Sequence, residues 1–270
     1  MIAGIFSRTY AAKNDAVFAA IKADGFSATQ LNLSSLGLDS LPAKLEEAIL
    51  LQAKADAARH GIVLAGLSGT YNMAHPDADY RTTQRAKFAN VLRAAKLMDI
   101  PIVTLCTGSR DATNMWAHHA ENNSDAAWRD FRVELDAVLK MTDGSTLAIE
   151  PEPGNVVRDA KVARALLDEI KSPQLKIILD AANLLSPETL PHQTDIMSEA
   201  FDLLGNDIVM AHAKDIDAKG HVTTPGKGAV DLKTFTLGLR RAKFKGALVA
   251  HGFEEADAMA TGICLNDLLA

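Results

Sequence analysis

Glu150, Asp180 and His212 each close a short apolar run: Leu147-Ala-Ile-Glu150, Lys176-Ile-Ile-Leu-Asp180 and Ile208-Val-Met-Ala-His212. Roughly thirty residues separate neighbours, which is the period of a strand–helix unit. Two carboxylates and an imidazole are ligands suited to a divalent cation. A parallel barrel turns all its strand ends to one mouth, so residues distant in sequence converge there. A single acid at a strand end more often caps a helix or pairs with a basic neighbour; three coincident strand ends shift the reading to an open metal site. No cysteine joins them, which argues against a closed structural zinc site. The expectation is one divalent ion, Mn²⁺, Co²⁺, Mg²⁺ or Zn²⁺.

Period-two alternation puts Ala148 and Glu150 on one face of their strand and Leu147 and Ile149 on the other. The small inward alanine leaves room for the acid. His212 shares its face with Met210 and Lys214, and His251 ends the last apolar run two residues after Val249. Glu150, Asp180, His212 and His251 are therefore expected to point inward, with His251 as fourth ligand or second acid/base. Lys214 is expected to polarise a substrate oxygen, or to act as an acid once burial lowers its pKa. A salt bridge to Glu150 or Asp215 is the plainer alternative.

Eight apolar runs, near residues 2–6, 28–33, 62–67, 102–105, 146–149, 175–179, 208–211 and 247–250, read as buried parallel strands. Helical stretches lie between them. Ser40 and Pro42 are read as opening one that ends before Gly61, Thr82 and Thr83 as preceding another, and Ser124-Asp125 as starting a third. The alternation has no linker, so the fold class is α/β: a single (β/α)8 TIM barrel over residues 1–270. An open doubly wound sheet is the structural alternative, but no G-x-G-x-x-G turn is present.

The chain of 270 residues is 48% hydrophobic and carries a net charge of −6. That charge opposes a nucleic-acid backbone, and no run of about 20 apolar residues offers a membrane span. Met1 to Ser7 lacks a basic n-region and reads as a first strand, so a cytoplasmic location is expected. Cys106 and Cys264 are expected to be reduced thiols. A small-molecule substrate is the expected partner, and a homo-oligomer is compatible with the sequence. Tyr71, Asn72 and His75 follow the third strand, and Arg110 and Trp116 the fourth, where barrel loops meet ligand. Each has a structural alternative: Asn72 as a turn cap, Arg110 as an ion pair, Trp116 as a lid anchor. The tandem His118-His119 reads as a solvated pair.

Several segments carry a resemblance: Ser68-Gly-Thr-Tyr-Asn-Met-Ala-His75, Cys106-Thr-Gly-Ser-Arg110, Asn114-Met-Trp116, Ala148-Ile-Glu-Pro-Glu152, Leu179-Asp-Ala-Ala-Asn-Leu184 and Ala211-His-Ala-Lys-Asp215. Together they resemble the sugar phosphate isomerase/epimerase family of xylose isomerase-like TIM barrels. The resemblance implies one metal held by Glu, Asp, His and Glu at the ends of strands five to eight. Glu150, Asp180 and His212 match the first three, but His251 stands in the fourth position, with Glu254 and Glu255 just beyond. Asn183 stands where many relatives place a substrate-binding histidine, and Glu152 and Asn183 join the substrate-side candidates. Pro225-Gly-Lys-Gly228 resembles a glycine loop of the family. The implied function is metal-dependent isomerisation or epimerisation of a small sugar, sugar phosphate or polyol-derived ketone through an enediolate. The alternatives are a dehydratase of the inosose dehydratase type and a non-catalytic sugar-binding paralogue. An endonuclease IV-like nuclease is disfavoured by the acidic chain and the lack of surplus metal ligands.

Overall fold

The computed structural model describes residues 1–270. In chain order its main elements are β1 (Ile2–Phe6), α1 (Asp15–Ala23), β2 (Ala28–Leu31), α2 (Glu47–Arg59), β3 (Val63–Ser68), α3 (Ala78–Leu97), β4 (Ile102–Cys106), α4 (Asp125–Leu139), β5 (Thr146–Glu150), α5 (Ala160–Ile170), β6 (Leu175–Asp180), α6 (Gln193–Leu204), β7 (Ile208–Ala213), the two-residue strands β8 (Asp215–Ile216) and β9 (Val222–Thr223), α7 (Leu232–Arg241), β10 (Ala247–Ala250) and α8 (Ala258–Leu269). All strands but β8 and β9 form a closed parallel barrel in the order β1-β10-β7-β6-β5-β4-β3-β2. β8 and β9 pair antiparallel beside the mouth.

The alternation read from the sequence sorts the two sides of this wall. Leu147 and Ile149 of β5 join the large apolar layer between barrel and helices. Ala148 joins Ala28, Ile178, Met210, Ala247 and Val249 in a small plug inside the barrel. Met210 fills that space because Gly66 on β3 makes room; a Cβ there would stand 2.6 Å from the Met210 methyl group. Above this plug the strands run on into polar residues: β5 through Glu150, β6 through Asp180 and β7 through His212 to Ala213. Parallel ladders need only backbone groups, so they continue past the last apolar residue, where the sequence runs were read as ending.

Two helix starts differ from the sequence reading. The second helix begins at Glu47, because Ser40 is occupied in donating to Asn32 Oδ1 and the carbonyls of Pro42 and Ala43 accept from Asn90. Thr82 and Thr83 lie inside α3, exposed, because Asp77 is the cap and accepts from the amide of Asp79. Ser124 does cap α4, accepting from the Ala127 amide. No helix is long and apolar enough to cross a membrane.

Candidate metal centre

Strand register brings the ligand-type residues together. Asp180 lies opposite His212 across the β6–β7 ladder, His212 opposite Val249 across β7–β10, and Cys106 opposite Glu150 across β4–β5. One ligand atom each from Glu150, Asp180, His212 and His251 lies within 4.8 Å of the others. At bonds of about 2.1 Å, two ligands on opposite sides of an ion stand about 4.2 Å apart, so this set is nearly closed to coordinating distances.

Hydrogen bonds orient each member. Asp180 Oδ1 accepts from the amides of Ala182 and Asn183 at 2.8 and 3.2 Å, which leaves Oδ2 for the cluster, 2.9 Å from His251 Nε2. Gln30 Nε2 donates to Thr104 Oγ1 at 3.1 Å, and its oxygen faces His212 Nε2 at 2.7 Å. That oxygen can only accept, so Nε2 carries a proton, while Nδ1 faces Glu150 Oε1 at 3.0 Å; burial would lower the His212 pKa, but Glu150 outweighs it and raises the value, and a proton held at Nδ1 is one that a bound ion would displace. Asn183 Nδ2 also donates to Glu150 Oε1, at 3.1 Å. Glu150 Oε2 has only the Cys106 thiol nearby, at 3.9 Å. The His212 and His251 rings meet edge to face with centroids 4.6 Å apart.

The electrostatics also suit a cation. Lys214 Nζ donates to Asn183 Oδ1 and lies 3.7 Å from both Glu152 Oε1 and Asp180 Oδ2. Burial alone would lower the Lys214 pKa, as expected from sequence, but Asp180, Glu152 and Glu150 outweigh it and raise the value. This corrects the reading of Lys214 as an acid: it remains a fixed positive charge. Burial would raise the Asp180 pKa, yet Lys214, His251 and His212 hold it well below the usual carboxylate range. Burial, then the neighbouring His212, lowers the His251 pKa, so this ring is neutral. Glu152 is pushed up to about 7, by burial first and the Glu150 charge second. Three carboxyl groups, on Glu150, Asp180 and Glu152, thus surround the one Lys214 ammonium, an excess of acidic groups that a divalent ion would offset. Donor types, spacing and charge therefore fit a divalent metal, with Glu150, Asp180, His212 and His251 to hold it.

The cluster opens into a cavity of about 430 Å³, lined by Glu150, Glu152, His212, Lys214 and His251 and also by Met115, Trp116 and Val222. Trp116 is 51% exposed. Asn183 sits beneath, joining Glu150 to Lys214. The other loop candidates lie away from the cavity. Tyr71 is buried and donates to Glu134 Oε1 at 2.7 Å. Arg110 pairs with Asp130 at 2.7 Å and also donates to the Ala74 carbonyl. Asn72 Oδ1 accepts from the Ser109 amide, and a Cβ on Gly108, whose φ is +78°, would collide with that oxygen. His75 bonds the Ala112 carbonyl and the Asp77 amide and stacks on Tyr80. These four brace the loops that frame the mouth. His119 accepts from the Glu121 amide, and His118 is exposed. Glu254 and Glu255 are exposed, with Glu255 accepting from the Ala11 amide, so neither joins the cluster. The sequence reading missed Gln30 and Thr104; the signal was parity, since Gln30 follows inward Ala28 by two on β2. Both cysteines are free.

Comparison with curated proteins gives no sequence match. Among solved structures the fold resembles D-psicose 3-epimerase from Clostridium cellulolyticum H10, solved with D-tagatose: TM-score 0.74, 15% identity, covering 100% of this chain and 99% of that one. It also resembles the IolI protein with a bound zinc atom, with TM-score 0.75, 14% identity and coverage of 100% and 98%. A fusion of a xylose isomerase-like TIM barrel with a 4-hydroxyphenylpyruvate dioxygenase matches with TM-score 0.72 and 15% identity, over 97% of this chain; the chain spans 41% of the fusion's length. At these identities the likeness is one of fold. Residues 18–265 match the family model of the xylose isomerase-like TIM barrel, and the chain belongs to that family.

Proposed function

We propose that the protein is a divalent-metal-dependent isomerase or epimerase of a small sugar or sugar-derived ketone, working through an enediolate. The observation that carries this reading is the convergence of Glu150, Asp180, His212 and His251 within 4.8 Å, three of them, Glu150, His212 and His251, lining the cavity at the barrel mouth. Solved relatives in fold include a D-psicose 3-epimerase and a zinc-bound protein, which supports the class. When bound, the ion supplies Lewis acidity that acidifies the carbon next to a carbonyl.

The chain's own groups supply the proton transfers. Glu150 Oε2, free of strong hydrogen bonds, takes the proton from that carbon. Negative charge then builds on the carbonyl oxygen, and the buried Lys214 ammonium stabilises it. Glu152, two residues along the same wall, exchanges protons with the oxygens. Returning the carbon-bound proton to the neighbouring carbon interconverts aldose and ketose; returning it to the opposite face of the first carbon gives an epimer. Both carboxylates enter from the β5 side, which supports proton return on one face and so aldose–ketose interconversion, while the His251 imidazole, just after β10, is the second base that epimerisation would use. Turnover of an aldose–ketose panel in deuterium oxide with Mn²⁺ tests this. Product should carry solvent deuterium beside the carbonyl. Glu150→Gln should lower turnover at least about 10³-fold with an unchanged circular-dichroism spectrum. Activity within a few fold of wild type would remove Glu150 as the base.

A further inference from the structure

The side of the mouth across from the two carboxylate ligands carries polar donors that the protein leaves unused. In the barrel order, β1 and β2 lie about half a turn from β5 and β6, which bear Glu150 and Asp180. Arg8, just beyond β1, lines the cavity, is exposed, and makes no hydrogen bond or ion pair within the chain. Lys214, the other cation lining the cavity, is already engaged with Asn183, Glu152 and Asp180.

Asn32, just beyond β2, is only 3% exposed and lines the same cavity. Its Oδ1 accepts from the Ser34 amide at 3.0 Å and the Ser40 hydroxyl at 2.8 Å. Those donors fix the orientation of the amide, since an NH₂ group cannot accept them. Nδ2 therefore points the other way, with no acceptor from the protein. Ser68, at the end of β3, is 7% exposed, and its hydroxyl, also on the cavity wall, has no partner in the chain. A guanidinium, an amide and a hydroxyl, each able to donate, thus sit at the ends of three neighbouring strands, β1, β2 and β3, on the wall of one cavity. Asn32 Nδ2 and the Ser68 hydroxyl reach the cavity with no acceptor from the chain, and a planar guanidinium beside a fixed amide matches the oxygens of a carboxylate or phosphate.

We infer that Arg8, Asn32 and Ser68 form an oxyanion subsite, and that the substrate is an acidic sugar whose carboxylate or phosphate sits there. This rests on the reading of the mouth as a sugar isomerase site and narrows its substrate class. The mouth then has two poles, with the carboxylates and their cation at one and the Arg8 side at the other. At the first pole the ion's charge is taken up by its carboxylate ligands, whereas the Arg8 guanidinium has no partner in the chain, so an anionic group is held at the second and an extended substrate enters with its carbonyl toward Glu150. Arg8 acts in specificity, by fixing orientation, and takes no part in proton transfer.

Polyols without a carbonyl test this without turnover. D-glucitol, D-gluconate and D-glucitol 6-phosphate share one carbon chain and differ in the terminal group. Calorimetric titration of each into the metal-free and the Mn²⁺-loaded protein gives affinities for the neutral, carboxylate and phosphate forms. At least one anion should bind at least about tenfold more tightly than glucitol. Arg8→Gln should erase that advantage and leave glucitol binding unchanged, while Arg8→Lys should keep part of it. Equal affinity for all three, no binding of either anion at millimolar concentration, or an advantage that survives Arg8→Gln would each overturn the subsite. The ketose panel separates this from the activity itself. Turnover of neutral sugars without anion preference would remove the subsite and keep the isomerase; anion preference without turnover would do the reverse.

Discussion

His251 occupies the position at the end of the eighth barrel strand where the resemblance leads one to expect glutamate. A neutral imidazole there holds a cation less tightly than a carboxylate and leaves it more net charge. His251→Ala should weaken Mn²⁺ binding about 10- to 100-fold, and His251→Glu should strengthen it, both read by titration calorimetry. Unchanged affinity in both variants would place His251 outside the ion's shell. Glu152 gives a second test on the metal-free protein. Its folded pKa, about 7, lies above the ordinary carboxylate value of 4.5. Burying it protonated is therefore favoured below pH 4.5, and that contribution is lost as pH rises through 7. Between pH 5 and 8 the wild-type Tm should fall more than that of Glu152→Gln, by the equivalent of about 1–3 kcal/mol. Parallel curves would contradict the shift. Of the residues the sequence pointed to, the four ligand candidates were legible because strand ends and parity are local properties. Tyr71 and Arg110 were not, because the groups that claim them, Glu134 and Asp130, lie on α4 and become neighbours only after folding.

At the scale of elements, the segment after β7 is held by one buried carboxylate. Asp215 Oδ2 accepts from the amides of Gly226 and Gly228, both at 2.9 Å, and Oδ1 from those of Ile216 and Val230 at 2.9 and 3.0 Å. A Cβ on Gly228 would stand 2.2 Å from Asp215 Oδ1, so the glycine of this loop is needed for close approach and not only for flexibility. The same loop supports the β8–β9 hairpin, which brings Val222 to the mouth. In Asp215→Asn an NH₂ group faces amide donors. Unfolding free energy should drop by about 2–3 kcal/mol in urea, with faster proteolysis within residues 224–230. Wild-type stability and cleavage would show that the amides find other acceptors. Eight strands and their order of alternation were readable as apolar runs, whereas the start of α2 was not, because Ser40 spends its hydroxyl on Asn32 within the loop between β2 and α2.

For the whole molecule, the closed barrel is what turns residues scattered from Glu150 to His251 into one site, with an apolar plug below and loops braced by part-buried ion pairs around it. The net charge of −6 and the acids at the mouth give the chain a reason to take a cation there. The most direct measurement is the metal content of the purified protein after chelation and reloading with Mn²⁺, Co²⁺, Mg²⁺ or Zn²⁺, made alongside Asp180→Ala and followed by elemental analysis. The account predicts one equivalent of a divalent ion per chain, lost in Asp180→Ala while the circular-dichroism spectrum is unchanged. No bound ion with any of the four metals, or the same content in Asp180→Ala, would contradict it.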